Sequence, residues 1–210
     1  MASTALDFAL LALALGGPAA VLATPRAVAV LVVWFAGACT LAWLRPVREH
    51  DANAIEREHR AGFIALFVLP LVTPAVSAAG RRFGVLPWFA SEWADGIGVA
   101  LVALGLAVRI AAMARLGSRF SPLVAVQRTH ALERGGPYAA VRHPGYLGSL
   151  LACVGAMLAF GSALALPLVA AFALLLRARI ALEESLLERT FGDEWRRYRE
   201  RTHALLPRWR

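Results

Sequence analysis

Two stretches of this chain concentrate side chains able to bind and orient a ligand. The first carries Gln127, His130, Gly135-Gly136-Pro137-Tyr138 and Arg142-His143-Pro144-Gly145-Tyr146. The second carries Arg179, Glu183 and Glu184, then Phe191-Gly192-Asp193-Glu194-Trp195 and Tyr198. Amide, imidazole and phenol groups combine stacking faces with hydrogen-bonding edges. Arg179 and Glu183 are four residues apart, so on a helix they share one face. A cation and an anion confined together can sort the opposite charges of a ligand. Taken singly, the pieces are ordinary: Gly-Gly-Pro and His-Pro-Gly are turn sequences, and an exposed i,i+4 ion pair contributes only about 0.3–0.5 kcal/mol. Their setting is less ordinary, because residues 146–176, which separate them, hold no charge.

Other chemistries find little support. Two histidines without a third close ligand make a poor metal site, and Cys39 and Cys153 lie inside apolar runs, so no metal is expected. All 22 basic residues are arginine, which excludes a phosphate loop ending in Lys, and no glycine fingerprint follows a strand. No Ser stands in a strand-turn-helix elbow, and neither Cys has a charged partner nearby.

The elements that must position these residues are membrane helices. Of the 210 residues 59% are apolar and 17% charged, with a mean hydropathy of +0.61, against about 45–50% and 25% in soluble domains. Crossing a bilayer takes roughly 20 helical residues. Residues 5–23, 27–44, 61–79 and 94–114 meet or approach that length; the first lacks a basic start and carries Asp7, so it reads as a span and not a signal peptide. Pro70 and Pro74 are expected to kink the third, and Arg109 lies within the fourth. Residues 146–176 are too long for one span, and Gly161-Ser162 with Pro167 predicts a hairpin of two short helices.

Six segments return both ends to one side. That side receives Arg45, Arg48, Arg57 and Arg60, then Arg115, Arg119, Arg128, Arg134 and Arg142, then nine arginines from 177 to 210. The opposite side receives Arg26, Arg81 and Arg82. The positive-inside rule therefore predicts that both termini and the polar segments are cytoplasmic. A net charge of +8 distributed over such loops offers no continuous basic face, so no nucleic-acid partner is expected. The 45–60 loop, with His50 and His59, mixes four arginines with four acids and reads as a solvated helix. A hairpin brings its two flanks back together, so the two polar stretches should meet against the membrane. Ile180, Leu187, Phe191, Trp195 and Tyr198 are expected to form one docking stripe on a terminal amphipathic helix. The expected fold is an all-α polytopic membrane helical bundle of about six segments. It forms a single domain, with residues 1–114 supplying four spans and 115–210 the polar core.

At these residues the chain resembles the isoprenylcysteine carboxyl methyltransferase family, integral membrane enzymes that use S-adenosylmethionine and are related to phospholipid methyltransferases. The likeness runs from about residue 109 to 207. It rests on Gln127-Arg128-Thr129-His130-Ala131-Leu132 running into Gly136-Pro137-Tyr138, on Arg142 through Gly148, and on Arg179 with Glu183-Glu184 and the Phe191–Tyr198 block. The resemblance implies a cofactor pocket made by Gln127, His130, Ala131, Leu132, Glu133, Tyr138, His143, Pro144, Gly145, Tyr146 and Glu183, with Arg179 on the acceptor. It implies methyl transfer from S-adenosylmethionine to a lipophilic or small carboxylate acceptor. The chain departs from the family pattern at Thr202-His203-Ala204, where a Val-Pro-Arg-like triplet is usual, and at Glu133, where an aliphatic is common and contact is expected through backbone. Alternatives are methylation of a phospholipid amine or small thiol, a nicotinamide-dependent sterol-type reductase, and a non-enzymatic membrane protein.

Overall fold

The computed structural model describes residues 2–43, 60–88, 91–117 and 132–206. The helices in order are α1 (Ala2–Leu15), α2 (Pro18–Leu22), α3 (Pro25–Trp43), α4 (Arg60–Arg82), α5 (Glu92–Leu116), α6 (Pro137–Ala140), α7 (Pro144–Phe160), α8 (Leu166–Phe191) and α9 (Asp193–Arg201). The expected all-α membrane bundle is what the chain forms; among the described residues the only β pairing is a single parallel bridge between Val141 and His203. Among the described residues three helices are long and apolar enough to cross a membrane, over Ile64–Arg82, Glu92–Leu116 and Ala163–Phe191, and three more are apolar but shorter.

Two expectations about the spans need correction. The 5–23 segment is not one helix: Gly16 and Gly17 take φ of 99° and 136°, and Pro18 opens a separate short helix. Positive φ is open to glycine at little cost, and proline suits a first helical turn. The hairpin does turn where predicted, but its arms are unequal. Gly161, left-handed at φ 67°, closes α7 after 17 residues, and Ser162 caps a 3₁₀ turn by accepting from the Leu164 amide at 3.2 Å. The second arm, with Pro167 in its first turn, continues for 26 residues through Arg179 and Glu183 to Phe191. Nothing between Leu176 and Arg177 breaks a helix, so the apolar arm and the polar segment are one rod. Gly192 (φ 51°) breaks the chain next, so the predicted stripe divides: Ile180 is buried on α8, and Trp195 and Tyr198 are buried on α9.

The bundle is built around α5 and α7, its most extensive helix pair. Small residues on the two helices allow backbone to touch backbone. Gly98, Val102, Gly105 and Ala112 are buried on α5, and Gly148, Gly155 and Ala159 on α7. A Cβ on Gly155 would lie 2.7 Å from the Gly98 carbonyl, and one on Gly148 would lie 2.8 Å from the Arg109 amide nitrogen. α4 stays helical through Pro70 and Pro74, and Ser77 from it donates to the Met157 carbonyl at 2.8 Å and the Ser162 carbonyl at 3.1 Å. At that same end Asp95 receives Arg26 at 2.6 Å and Arg81 at 2.5 Å. The polar segments 132–143 and 177–206 occupy the opposite end.

Candidate active site

Proline at the first turn starts α7 and leaves His143 as its N-cap, with φ −125°. His143 is 4% exposed, and its ring stacks on that of Tyr146 at 5.6 Å and 18°. Its Nε2 lies 3.1 Å from Glu184 Oε1, and its Nδ1 lies 3.9 Å from Glu183 Oε2. One imidazole therefore addresses both acids of the α8 pair.

Consecutive residues on a helix point about 100° apart, and the two carboxylates have different surroundings. Glu184, 14% exposed, receives Arg142 Nε at 2.8 Å and has Arg199 Nε at 4.0 Å. It is enclosed by cations and serves to fix Arg142 and His143. Glu183, 34% exposed, accepts from the Tyr146 hydroxyl at 2.8 Å and keeps its outer face open. The Tyr146 oxygen in turn accepts from Arg179 Nε at 2.9 Å. Arg179 and Glu183, expected as neighbours on one face, thus share the Tyr146 hydroxyl.

The wall facing α8 is the loop 132–140. Gly136 takes φ 56°, and Pro137 starts the single turn that presents Tyr138. The Tyr138 hydroxyl donates to the Ala112 carbonyl at 3.5 Å. Burial, reinforced by the Glu183 charge, pushes this phenol above the usual tyrosine range, so it stays a donor. Glu133, expected to work through backbone, uses its side chain to bind its own loop: it accepts from the Gly135 amide at 2.9 Å and Arg115 Nε at 3.2 Å.

The end of the chain clasps this assembly. The amides of Arg142 and His143 donate to the carbonyls of His203 and Ala204 at 2.9 and 3.0 Å. Arg142 also donates to the Thr202 and Arg199 carbonyls and lies 5.9 Å above the Trp195 ring. Tyr198 donates to the Tyr138 carbonyl at 2.7 Å. The Thr202-His203-Ala204 stretch, marked in the sequence as a departure, is therefore structural mortar for the His143 turn.

Of the predicted site residues, Tyr138, His143, Pro144, Gly145, Tyr146, Arg179 and Glu183 converge, and Leu132 and Glu133 enter the loop beside them. Gln127, His130 and Ala131 lie outside the described residues, as do His50 and His59. Sequence reasoning missed Glu184 as the group that holds His143. The signal was present in matched doublets, Arg142-His143 against Glu183-Glu184. It also missed Arg109, whose Nη1 donates to Ser149 Oγ at 2.6 Å and the Gly145 carbonyl at 3.3 Å.

A family model described as phospholipid methyltransferase matches residues 93–194. The protein-S-isoprenylcysteine O-methyltransferase of Schizosaccharomyces pombe is 36% identical over 110 residues, covering 50% of this chain and 45% of the relative. A probable protein-S-isoprenylcysteine O-methyltransferase of Oryza sativa subsp. indica is 32% identical over 126 residues, covering 57% and 62%. The chain thus spans about half to three-fifths of these relatives. Its fold resembles the solved eukaryotic intramembrane Ras methyltransferase, an isoprenylcysteine carboxyl methyltransferase, with a TM-score of 0.59 at 19% identity, over 87% of this chain and 65% of that one.

Proposed function

We propose, from its likeness in sequence and in fold to the isoprenylcysteine carboxyl methyltransferases, that the chain is a membrane methyltransferase acting on a lipophilic carboxylic acid with S-adenosylmethionine as donor. One arrangement carries the reading: His143, Tyr146, Glu183 and Arg179 meet at the base of the hairpin, with the His143 ring 3.9 Å from Glu183 and Tyr146 joining Glu183 to Arg179. The residues suit the donor. Among the described residues Glu183 accepts one hydrogen bond, from Tyr146, and is a third exposed, leaving room for an ammonium group, while Glu184 is engaged by Arg142 and His143. The Tyr138 loop supplies an aromatic wall, and Gln127, His130, Ala131 and Leu132 complete it by resemblance to the family.

S-adenosylmethionine supplies an electrophilic methyl group on a sulfonium. An ionised carboxylate is already a nucleophile, so no side chain need remove a proton. The chain's task is alignment and exclusion of water. Arg179 holds the acceptor by a charge-assisted bond, with its own direction fixed by Tyr146. The apolar body of the acceptor enters past the exposed Leu174 and Leu182 of α8.

The site and both termini face the cytoplasm in this reading. Its support is the arginine distribution, sharpened by Asp95, which neutralises Arg26 and Arg81 on the opposite side. The phospholipid methyltransferase match raises an amine acceptor as a second reading; Arg179 opposes it, because a guanidinium repels a protonated amine.

Isothermal titration of the purified protein with S-adenosylmethionine, followed by methyl-label transfer to prenylated thiol-acids, fatty acids, phospholipids and small thiols, tests the proposal. Saturable binding with transfer to the acids is expected. Binding of a nicotinamide dinucleotide in its place would overturn the methyltransferase reading, and transfer to amines or thiols alone would overturn the carboxylate.

A further inference from the structure

The end of the bundle away from the candidate site carries three arginines among the described residues, Arg26, Arg81 and Arg82. Basic side chains are sparse on the non-cytoplasmic side of membrane proteins, and in the orientation proposed above all three of that side's arginines gather at one place. Arg26 lies at the start of α3 and Arg81 at the end of α4, and each gives one Nη1 contact to a different oxygen of Asp95 on α5. One carboxylate is thus divided between two guanidiniums, and among the described residues the buried Arg26 Nε has no partner. Glu92, the other acid described at this end, is exposed and forms no ion pair with them.

Arg82 is held differently. Its guanidinium lies against Gly16, where a Cβ would come within 2.7 Å of Nη1, and over the Phe83 ring at 5.3 Å. Its hydrogen bond to the Ala14 carbonyl is long, 3.4 Å, against a usual length of about 2.9–3.0 Å. Packing fixes this exposed cation, and among the described residues most of its donors are uncommitted.

The dipole at the end of α4 accounts for basic residues there. It does not account for the loop that follows. Phe83, Val85, Leu86 and Trp88 are all exposed, yet their backbone is pinned. The Val85 amide donates to the Gly80 carbonyl at 2.8 Å, Ser162 Oγ to the Val85 carbonyl at 2.7 Å, and the Ala163 amide to the Leu86 carbonyl at 2.9 Å. Leu86 holds φ 46°, which a leucine rarely adopts. The hairpin tip therefore fixes an apolar loop with its side chains turned outward, beginning beside Arg82. Aromatic side chains at the ends of membrane helices sit at headgroup depth, and a guanidinium matches phosphate as a charge-assisted fork. A soluble anion would use the arginines alone, whereas a phospholipid uses both the arginines and the loop.

We propose that Arg82, with Arg81 and Arg26 supplying further positive charge, binds the phosphate of an anionic phospholipid in the leaflet opposite the candidate site. Phe83 and Trp88 lie against the lipid's glycerol and acyl carbons. The excess of positive charge over Asp95 favours a headgroup that lacks an ammonium group. Occupancy reinforces the junction of α1, α4 and the hairpin tip, and so raises thermal stability.

The test titrates dioleoylphosphatidylglycerol into the full chain in detergent and follows the melting midpoint, with dioleoylphosphatidylcholine and inorganic phosphate as parallel arms. A saturable rise with the phosphatidylglycerol alone is expected. Arg82→Gln should raise the half-saturating lipid concentration roughly tenfold or more, the loss of one charge-assisted contact. Arg197→Gln, an exposed arginine of α9 at the other end, should leave it unchanged. Should Arg82→Gln not fold, Phe83→Ala removes only the ring beneath the guanidinium and should raise the same concentration roughly threefold. An unaltered response in whichever variant folds overturns the proposal, as does an equal loss in Arg197→Gln, which would mean diffuse attraction to arginine. Equal rises with phosphatidylcholine would overturn the preference for an anionic headgroup. The full rise with inorganic phosphate would make this a soluble-anion site and overturn the lipid, and no rise at all would overturn the site.

Discussion

The hydroxyl of Tyr146 donates to Glu183 at 2.8 Å and accepts from Arg179 Nε at 2.9 Å. One phenol on α7 thus sets the separation of two opposite charges on α8. Hydrogen bonds to charged groups contribute about 1.5–3 kcal/mol each. Tyr146→Phe should lower kcat/KM for the methyl acceptor by roughly ten- to a hundredfold. The fold should survive, since the ring keeps its stack on His143. Steady-state kinetics beside a detergent melt check this, and unchanged kinetics would remove Tyr146 from the site.

The adjacent acids should separate experimentally. Glu183→Gln should weaken S-adenosylmethionine binding tenfold or more with little change in melting temperature. Glu184→Gln should do the reverse in part, because it strips a carboxylate from Arg142 and His143, and breaking a buried pair costs about 3–5 kcal/mol. Titration calorimetry and thermal melts of both variants decide, and identical profiles would contradict the division of roles.

Burial pushes the Tyr198 hydroxyl up to about 12, and it donates to the Tyr138 carbonyl. An unfolded tyrosine ionises near pH 10. Because the folded value is the higher, the contribution of this bond is complete below about pH 10 and is lost as pH rises toward 12. The clasp should therefore loosen between those limits, seen as faster proteolysis after Arg197 or Arg199. Tyr198→Phe should loosen it already at neutral pH and flatten that alkaline dependence.

Much of this site was legible from residue types. The uncharged 146–176 run announced a hairpin, and Gly161-Ser162 marked its tip because a left-handed glycine and a capping serine end one helix and begin another. His143, Tyr146, Arg179 and Glu183 were visible through the same turn and helix spacings. Three features were not. Gly16-Gly17 looked like part of a span because apolarity does not report backbone dihedrals. The length of α8 was hidden by the change from apolar to charged residues, which alters the surroundings of a helix and not its hydrogen bonds. Arg109 read as an isolated charge because its partners, Ser149 and a carbonyl, lie some 40 positions on.

The α5–α7 contact should tolerate no added volume. Gly155→Ala would set a methyl 2.7 Å from both the Gly98 carbonyl and the Val102 amide nitrogen. Overpacking of this kind costs about 1–3 kcal/mol. A lower melting temperature is expected, together with reduced turnover, because the same contact carries Arg109 to Ser149. Full stability in Gly155→Ala would mean the helices can part freely.

Asp95→Asn should destabilise the far end of the bundle by leaving Arg26 and Arg81 without their shared carboxylate. The loss is expected to approach that of a broken buried pair, about 3–5 kcal/mol. A melt checks the stability, and S-adenosylmethionine titration of the surviving folded fraction should be normal, since the site occupies the other end.

The unequal arms of the hairpin make α8 a ruler. Arg179 and Glu183 reach Tyr146 only because a set number of residues separates them from the turn at Gly161. One alanine inserted after Phe172 would preserve hydropathy and helicity, yet advance everything beyond it by about 1.5 Å and swing it by about 100°. The membrane would accept such a protein, while Tyr146 would find a different pair of side chains opposite it. Phase along a single rod, rather than composition, is what a designer of related enzymes would have to conserve.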